Sequence, residues 1–137
     1  MVKPEVLRRR LENIDEYISY LKELSSESSE DFISDPKLFG SAERFLQLII
    51  EMLNDMGSHL ISDENLGSVN QARDIPRILL DKKIITAEQA ANWIKMNGFR
   101  NLLVHEYLAI SRTQVHKILR QNLSDIIDLM KVFARFL

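Results

Sequence analysis

Apolar side chains recur every three or four residues from Leu7 to Phe136, and no alternating apolar–polar run bounded by turn residues interrupts them. That period gathers the apolar residues of each segment on one helical face, so the chain is expected to be all-α. Only four glycines and three prolines are available to break such helices. The first helix is expected to start near Pro4, where proline is tolerated in the opening turn. Its stripe is Leu7, Leu11, Ile14, Ile18 with Tyr17, Leu21 and Leu24, and it should end in the acidic, serine-rich SSESSED. Asp35-Pro36 offers an N-cap followed by proline, opening a second long helix to about Ile61. Its stripe is Phe39, Ala42, Phe45, Leu46, Ile49, Ile50, Leu53, Met56 and Leu60. Residues 63–73 lack periodicity and read as a connection, after which Asp74-Ile75-Pro76 can start a short helix through about Lys83. Thr86-x-x-Gln89 and Ser111-x-x-Gln114 read as capping boxes and open helices over about 87–109 and 112–136. The expected architecture is an up-and-down four-helix bundle with one additional short helix, in a single domain spanning 1–137.

A chain of 137 residues can bury a core without staples, and with no cysteine it has no disulfide, thiolate zinc site or cysteine nucleophile. No window is apolar for long enough to span a membrane, and no apolar stretch follows the basic residues of MVKPEVLRRR, so a cytoplasmic protein is expected. A formal charge of −2 argues against a uniformly positive nucleic-acid coat, so any RNA contact must be local. Charge is nevertheless uneven. Glu23, Glu27, Glu30, Asp31 and Asp35 stand without a base, whereas the last stretch carries Arg112, Lys117, Arg120, Lys131 and Arg135. Solvated helix faces are the plainer reading of each cluster.

The segment 87–109 is apolar on more than one side, through Ala90, Ala91, Trp93, Ile94, Met96, Phe99, Leu102, Leu103, Val104 and Leu108. Either it is the central helix or its second apolar face meets another chain. Within it lies the polar cluster Arg100-Asn101 and His105-Glu106-Tyr107, whose desolvation is costly unless the groups are partnered or functional. At about 100° per residue, Arg100 and Tyr107 fall on nearly one line and His105 some 140° away, so one straight helix does not converge all three.

Arg100-x4-His105, with polar Asn101 directly after the arginine, resembles the R-polar-x(3–5)-H signature of HEPN domains. The longer RNLLVHEY resembles the R-x4-H-x-Y signature of the HepT toxins within them. In the second helix Arg44, Gln47, Glu51, Asp55 and His59 resemble the family helix that ends in an aspartate and a histidine four apart, so the likeness covers essentially the whole chain. The resemblance implies a HEPN-like bundle acting as a metal-independent RNA endonuclease, the toxin of a type VII pair, with its composite site at a homodimer interface. Arg100 and His105 are its implied catalytic residues, with Asn101 in support, no cofactor and no metal. Tyr107 is implied to accept AMP from a minimal nucleotidyltransferase antitoxin. The residue types suit the reaction: histidine moves protons near neutral pH, and an always-charged arginine grips phosphate with two donors.

Several residues have plainer readings. Tyr107 could be an amphipathic interface tyrosine, and Arg100 with His105 a satisfied polar pair. His116 reads as an exposed polar residue, and Trp93 as a core or interface filler. Asp55 and His59 read as a hydrogen-bonded pair bordering the cleft, since two ligands make a poor metal site. The alternative function is a non-catalytic HEPN module that holds a nucleotide or docks a nucleotidyltransferase. Against it stands the presence of both Arg100 and His105, which an adaptor does not need.

Overall fold

A computed structural model describes residues 3–106, 108 and 110–137, and every regular element among them is helical. The elements are α1 (Pro4–Ser25), α2 (Ser29–Ser34), α3 (Pro36–Asp63), α4 (Asp74–Asp81), α5 (Ala87–His105), α6 (Arg112–Gln121) and α7 (Leu123–Ala134). The starts obey the expected capping chemistry. Asp35 accepts from Lys37 N at 2.9 Å ahead of Pro36, and Thr86 and Gln89 complete a reciprocal capping box. Ser111 accepts from Gln114 N at 3.2 Å, but the return bond from Ser111 N to the Gln114 side chain is not made, so the second expected capping box is only half formed. The connection after α3 is irregular as expected. Asp74 closes it by accepting from the amides of Asn70 and Gln71, each at 3.0 Å, and these bonds hold its carboxyl below the usual carboxylate range.

The longest helix, α3, is the spine. α1 packs along one side of it, α4 and α5 along another, and α2 and α6 close its start. α7 crosses between α1 and α5. Ile14, Ile18 and Leu21 of α1, Leu46, Ile49 and Leu53 of α3, Trp93 of α5 and Leu129 and Phe133 of α7 join in one buried cluster. No helix is long and apolar enough to cross a membrane among the described residues.

Three details depart from the sequence-based expectation. The serine-rich stretch does not simply end α1, because Ser28 accepts from Asp31 N at 3.1 Å and starts the six-residue α2, whose Phe32 is completely buried. The last helix is two helices, broken at Asn122, so that α6 lies on α1 and α2 while α7 turns toward α5. α5 ends at His105 rather than near residue 109.

His116 is buried, not exposed. Its ring stacks on Phe32 at 4.7 Å between centroids, with Nδ1 3.2 Å from Ser29 Oγ and Nε2 3.0 Å from Glu27 O. Arg120 donates to the carbonyls of Ser25 and Glu27, and Arg112 donates to Ile33 O while its guanidinium lies 3.8 Å from the Phe39 ring centre. Part of the basic C-terminal cluster thus docks on the acidic segment. Phe32→Ala should cost about 3–5 kcal/mol through the cavity it leaves, and lower the thermal midpoint by about 10 °C or more. A calorimetric scan showing an unshifted midpoint would mean that α2 is not part of the cooperative core.

Candidate functional site

The site begins with the register between α3 and α5. Trp93 Nε1 donates to Asn54 Oδ1 at 2.8 Å, Asn54 Nδ2 donates to Asn97 Oδ1 at 2.8 Å, and Asn97 Nδ2 reaches Ala72 O at 3.5 Å. Trp93 is fully buried and Asn97 nearly so, so these polar groups depend on one another for satisfaction. A Cβ on Gly57 would stand 2.5 Å from Ile75 Cγ2 and 3.1 Å from Trp93 Cη2, so only glycine lets α4 and the indole approach α3 this closely.

The two helices run in opposite directions, and one turn beyond Asn97 the next polar residue, Arg100, meets α3 one turn before Asn54. Arg100 Nη2 lies 3.6 Å from Glu51 Oε1, with its side chain 30% exposed. Gln47 Nε2 donates to that same carboxylate oxygen at 3.4 Å. One turn further along α3, Asp55 Oδ2 accepts from Arg10 Nε at 3.0 Å, and Asp55 Oδ1 lies 3.5 Å from His59 Nε2. Gln47, Glu51, Asp55 and His59 therefore form a polar stripe at four-residue spacing, bridged by an arginine from α5 and another from α1. Asp55 and His59 are brought together as expected, and no third metal-ligating side chain joins them among the described residues.

Asn101 and His105 are exposed, and their side chains have no hydrogen-bond partner among the described residues. His105 is the last residue of α5, and the backbone N–H of Glu106 closes the turn on Leu102 O at 3.0 Å. Tyr107 lies outside the described residues. The second face of α5 is open: Ala87, Ala91, Ile94, Gly98, Asn101 and His105 are all exposed and follow one another at alternating steps of four and three. Ile94 is 43% exposed, and a Cβ on Gly98 would meet nothing within 4 Å. A cavity of about 390 Å³ between α3, α5, α6 and α7 is lined by neither Arg100 nor His105. The arginine and histidine instead sit on an open surface, which suits a polymeric substrate better than a small one.

Sequence reasoning anticipated the Asp55–His59 pair but missed the Arg100–Glu51 and Arg10–Asp55 contacts. The four-residue spacing along α3 marks Glu51 as part of a polar stripe but does not say which residue of another helix meets it. For Arg10 there was no signal, because three consecutive arginines do not reveal which one faces a neighbour.

Residues 14–133 match a family model described as ribonuclease HepT-like. The chain is 32% identical over 114 residues to the tRNA nuclease HepT of Aphanizomenon flos-aquae, covering 83% of this chain and 78% of that one. It is 26% identical over 130 residues to the mRNA nuclease HepT of Shewanella oneidensis, covering 93% and 97%. Its fold superposes with a TM-score of 0.90 on the tri-AMPylated Shewanella oneidensis HEPN toxin solved in complex with the MNT antitoxin, at 23% identity over 97% of this chain and 99% of that one.

The burial pattern separates the candidate chemistry from the fold. His105→Ala should leave stability within about 0.5 kcal/mol of the parent, whereas Asn97→Ala should cost about 1–3 kcal/mol by stranding its amide partners. Urea unfolding of the two variants checks both, and a His105 variant as damaged as the Asn97 one would make the histidine a structural residue.

Proposed function

Because the chain belongs to the HepT-like ribonuclease family, we propose that it is a metal-independent RNA endonuclease and the toxin of a type VII HEPN–nucleotidyltransferase pair. The observation that supports this reading is that the last turns of α5 carry both motif residues on different faces, the Arg100 guanidinium held by Glu51 and the His105 side chain exposed to solvent. In the proposed reaction the 2′-oxygen attacks phosphorus while a base takes its proton. The bond to the 5′-oxygen breaks, and that oxygen receives a proton from an acid. The products are a 2′,3′-cyclic phosphate and a 5′-hydroxyl.

Arg100 stabilises the charge that gathers on the phosphorane oxygens, offering two donors to one phosphate. A single histidine is poorly suited to be base and acid in one turnover, and the open seam of α5 supplies the remedy. Small and apolar at Ala87, Ala91, Ile94 and Gly98, it has the alternation of a helix-pairing seam, and it runs on into Asn101 and His105. Parallel pairing of two such seams along a twofold axis would bring two His105 side chains to one groove, one as base and the other as acid.

The relatives' names include both a tRNA nuclease and an mRNA nuclease, so the substrate class taken over here is RNA without a preferred type. The solved HEPN toxin is AMPylated and bound to an MNT antitoxin. On that precedent a minimal nucleotidyltransferase is the partner proposed here and Tyr107 the acceptor. An anionic adduct two residues from His105 would repel RNA and obstruct its path.

The purified protein should cut RNA in EDTA and leave cyclic-phosphate ends, and the active species should scatter light as a dimer. Arg100→Ala or His105→Ala should each lower kcat about 10²–10⁴-fold with the helical content intact. Dependence on magnesium, full activity in both variants, or a solely monomeric active species would overturn the assignment. Co-expression with the partner nucleotidyltransferase should add the mass of AMP to the peptide containing Tyr107 and abolish cleavage. An adduct mapped to another residue would remove Tyr107 from the regulatory site.

A further inference from the structure

We propose that Arg10 is a second phosphate-binding residue, gripping the RNA phosphodiester next to the one cleaved at Arg100 and His105; this rests on the ribonuclease reading above. Arg10 comes from α1 and Arg100 from α5, yet both are fastened to the same stripe of α3, at Asp55 and Glu51. Those two carboxylates are four residues apart, which sets their anchoring points about 6 Å apart along the helix axis. That is close to the length of one nucleotide in an extended RNA strand.

The order of groups is linear as well. Leu103, two residues before His105, borders one small cavity with Gly40, Glu43, Arg44 and Gln47, and further along α3 come Arg100 on Glu51, Arg10 on Asp55, and His59. A strand laid along the stripe with one phosphate at Arg100 therefore has its neighbour at Arg10.

The geometry of the Arg10 contact leaves the useful edge outward. Asp55 takes the Nε–H at 3.0 Å, and both side chains are 39% exposed, so the terminal nitrogens remain available for phosphate. His59 flanks the same carboxylate and helps to fix it. Arg8 and Arg9, the two residues before Arg10 in α1, are exposed and have no ion-pair partner among the described residues. Holding a guanidinium in place beforehand reduces the ordering entropy that binding must overcome. The plain competitor is that Arg10–Asp55 is a surface strut between α1 and α3, of the kind that contributes about 0–1 kcal/mol to stability and nothing to binding.

The deciding experiment maps individual phosphates. Transfer RNA and a transcribed messenger RNA identify a cleavage site with the parent protein. A fluorescein-labelled RNA spanning that site is then made uncleavable with a 2′-deoxy nucleotide, and single neutral methylphosphonates are placed along it. The parent should lose roughly tenfold or more in affinity at one phosphate adjacent to the scissile one. Arg10→Ala should bind the unmodified RNA weaker by the same factor, become insensitive to the methylphosphonate at that phosphate only, and keep its kcat on the cleavable RNA at saturation. Arg10→Met, which retains the side-chain stem, should behave identically if alanine lowers the thermal midpoint. Equal affinity for parent and variants, or an unchanged methylphosphonate profile, overturns the role of Arg10 and leaves the ribonuclease standing. No cleavage of either RNA by the parent overturns the ribonuclease reading itself.

Discussion

The hydrogen-bonded run from Trp93 through Asn54 to Asn97 sets the relation between the two helices that carry the site. Apolar ridges alone tolerate a slip of one helical turn, because Leu, Ile and Met side chains of similar size repeat along α3. Buried amides do not tolerate it, since a slip would strand donors and acceptors away from water. With this register fixed, Arg100 meets Glu51 and not Asp55 or Gln47. The pairing of charges along the α3 stripe thus follows from a contact made on the buried side of the same two helices. Gly57 contributes by absence, leaving the space that Ile75 and the indole of Trp93 occupy.

At the other end of the bundle a different set of polar contacts secures the N-terminal elements. Three residues of α6, Arg112, His116 and Arg120, bond to α2 or to the turn before it. The carbonyls they engage belong to a stretch rich in Glu and Asp, so backbone hydrogen bonding and long-range attraction act in the same direction. Seating α2 also seats the first turn of α3, whose cap is the very next residue, Asp35. The break at Asn122 allows this.

The helical class, the long α3 and most of the cap residues were legible in the sequence because each depends on local spacing, whereas Arg100 and His105 were singled out by the family resemblance of the motif. Apolar period and capping chemistry are written within a few residues. What escaped depends on partners far away in the chain. Val115, Leu119, Leu123 and Ile126 stay in helical phase across Asn122, so periodicity passes over the break. Phe32 lies in a polar stretch whose composition favours a loop, and only its burial against His116 makes a helix there worthwhile. His116 itself, set between basic residues, gave no local sign of burial. The Glu51–Arg100 contact joins residues 49 positions apart, and the pattern of either helix alone cannot reveal it.

Ending α5 at His105 gives the distance between the two motif residues a meaning of its own. Arg100 is fixed from behind by α3, while His105 belongs to the outer seam through its step of four from Asn101. One residue more or less between them would turn the imidazole by about 100° and take it off that seam, with the arginine still seated on Glu51. The stretch Asn101–Val104 is therefore a spacer read in angle as much as in length, joining a part of the molecule organised by its own core to a part organised by whatever lies outside it.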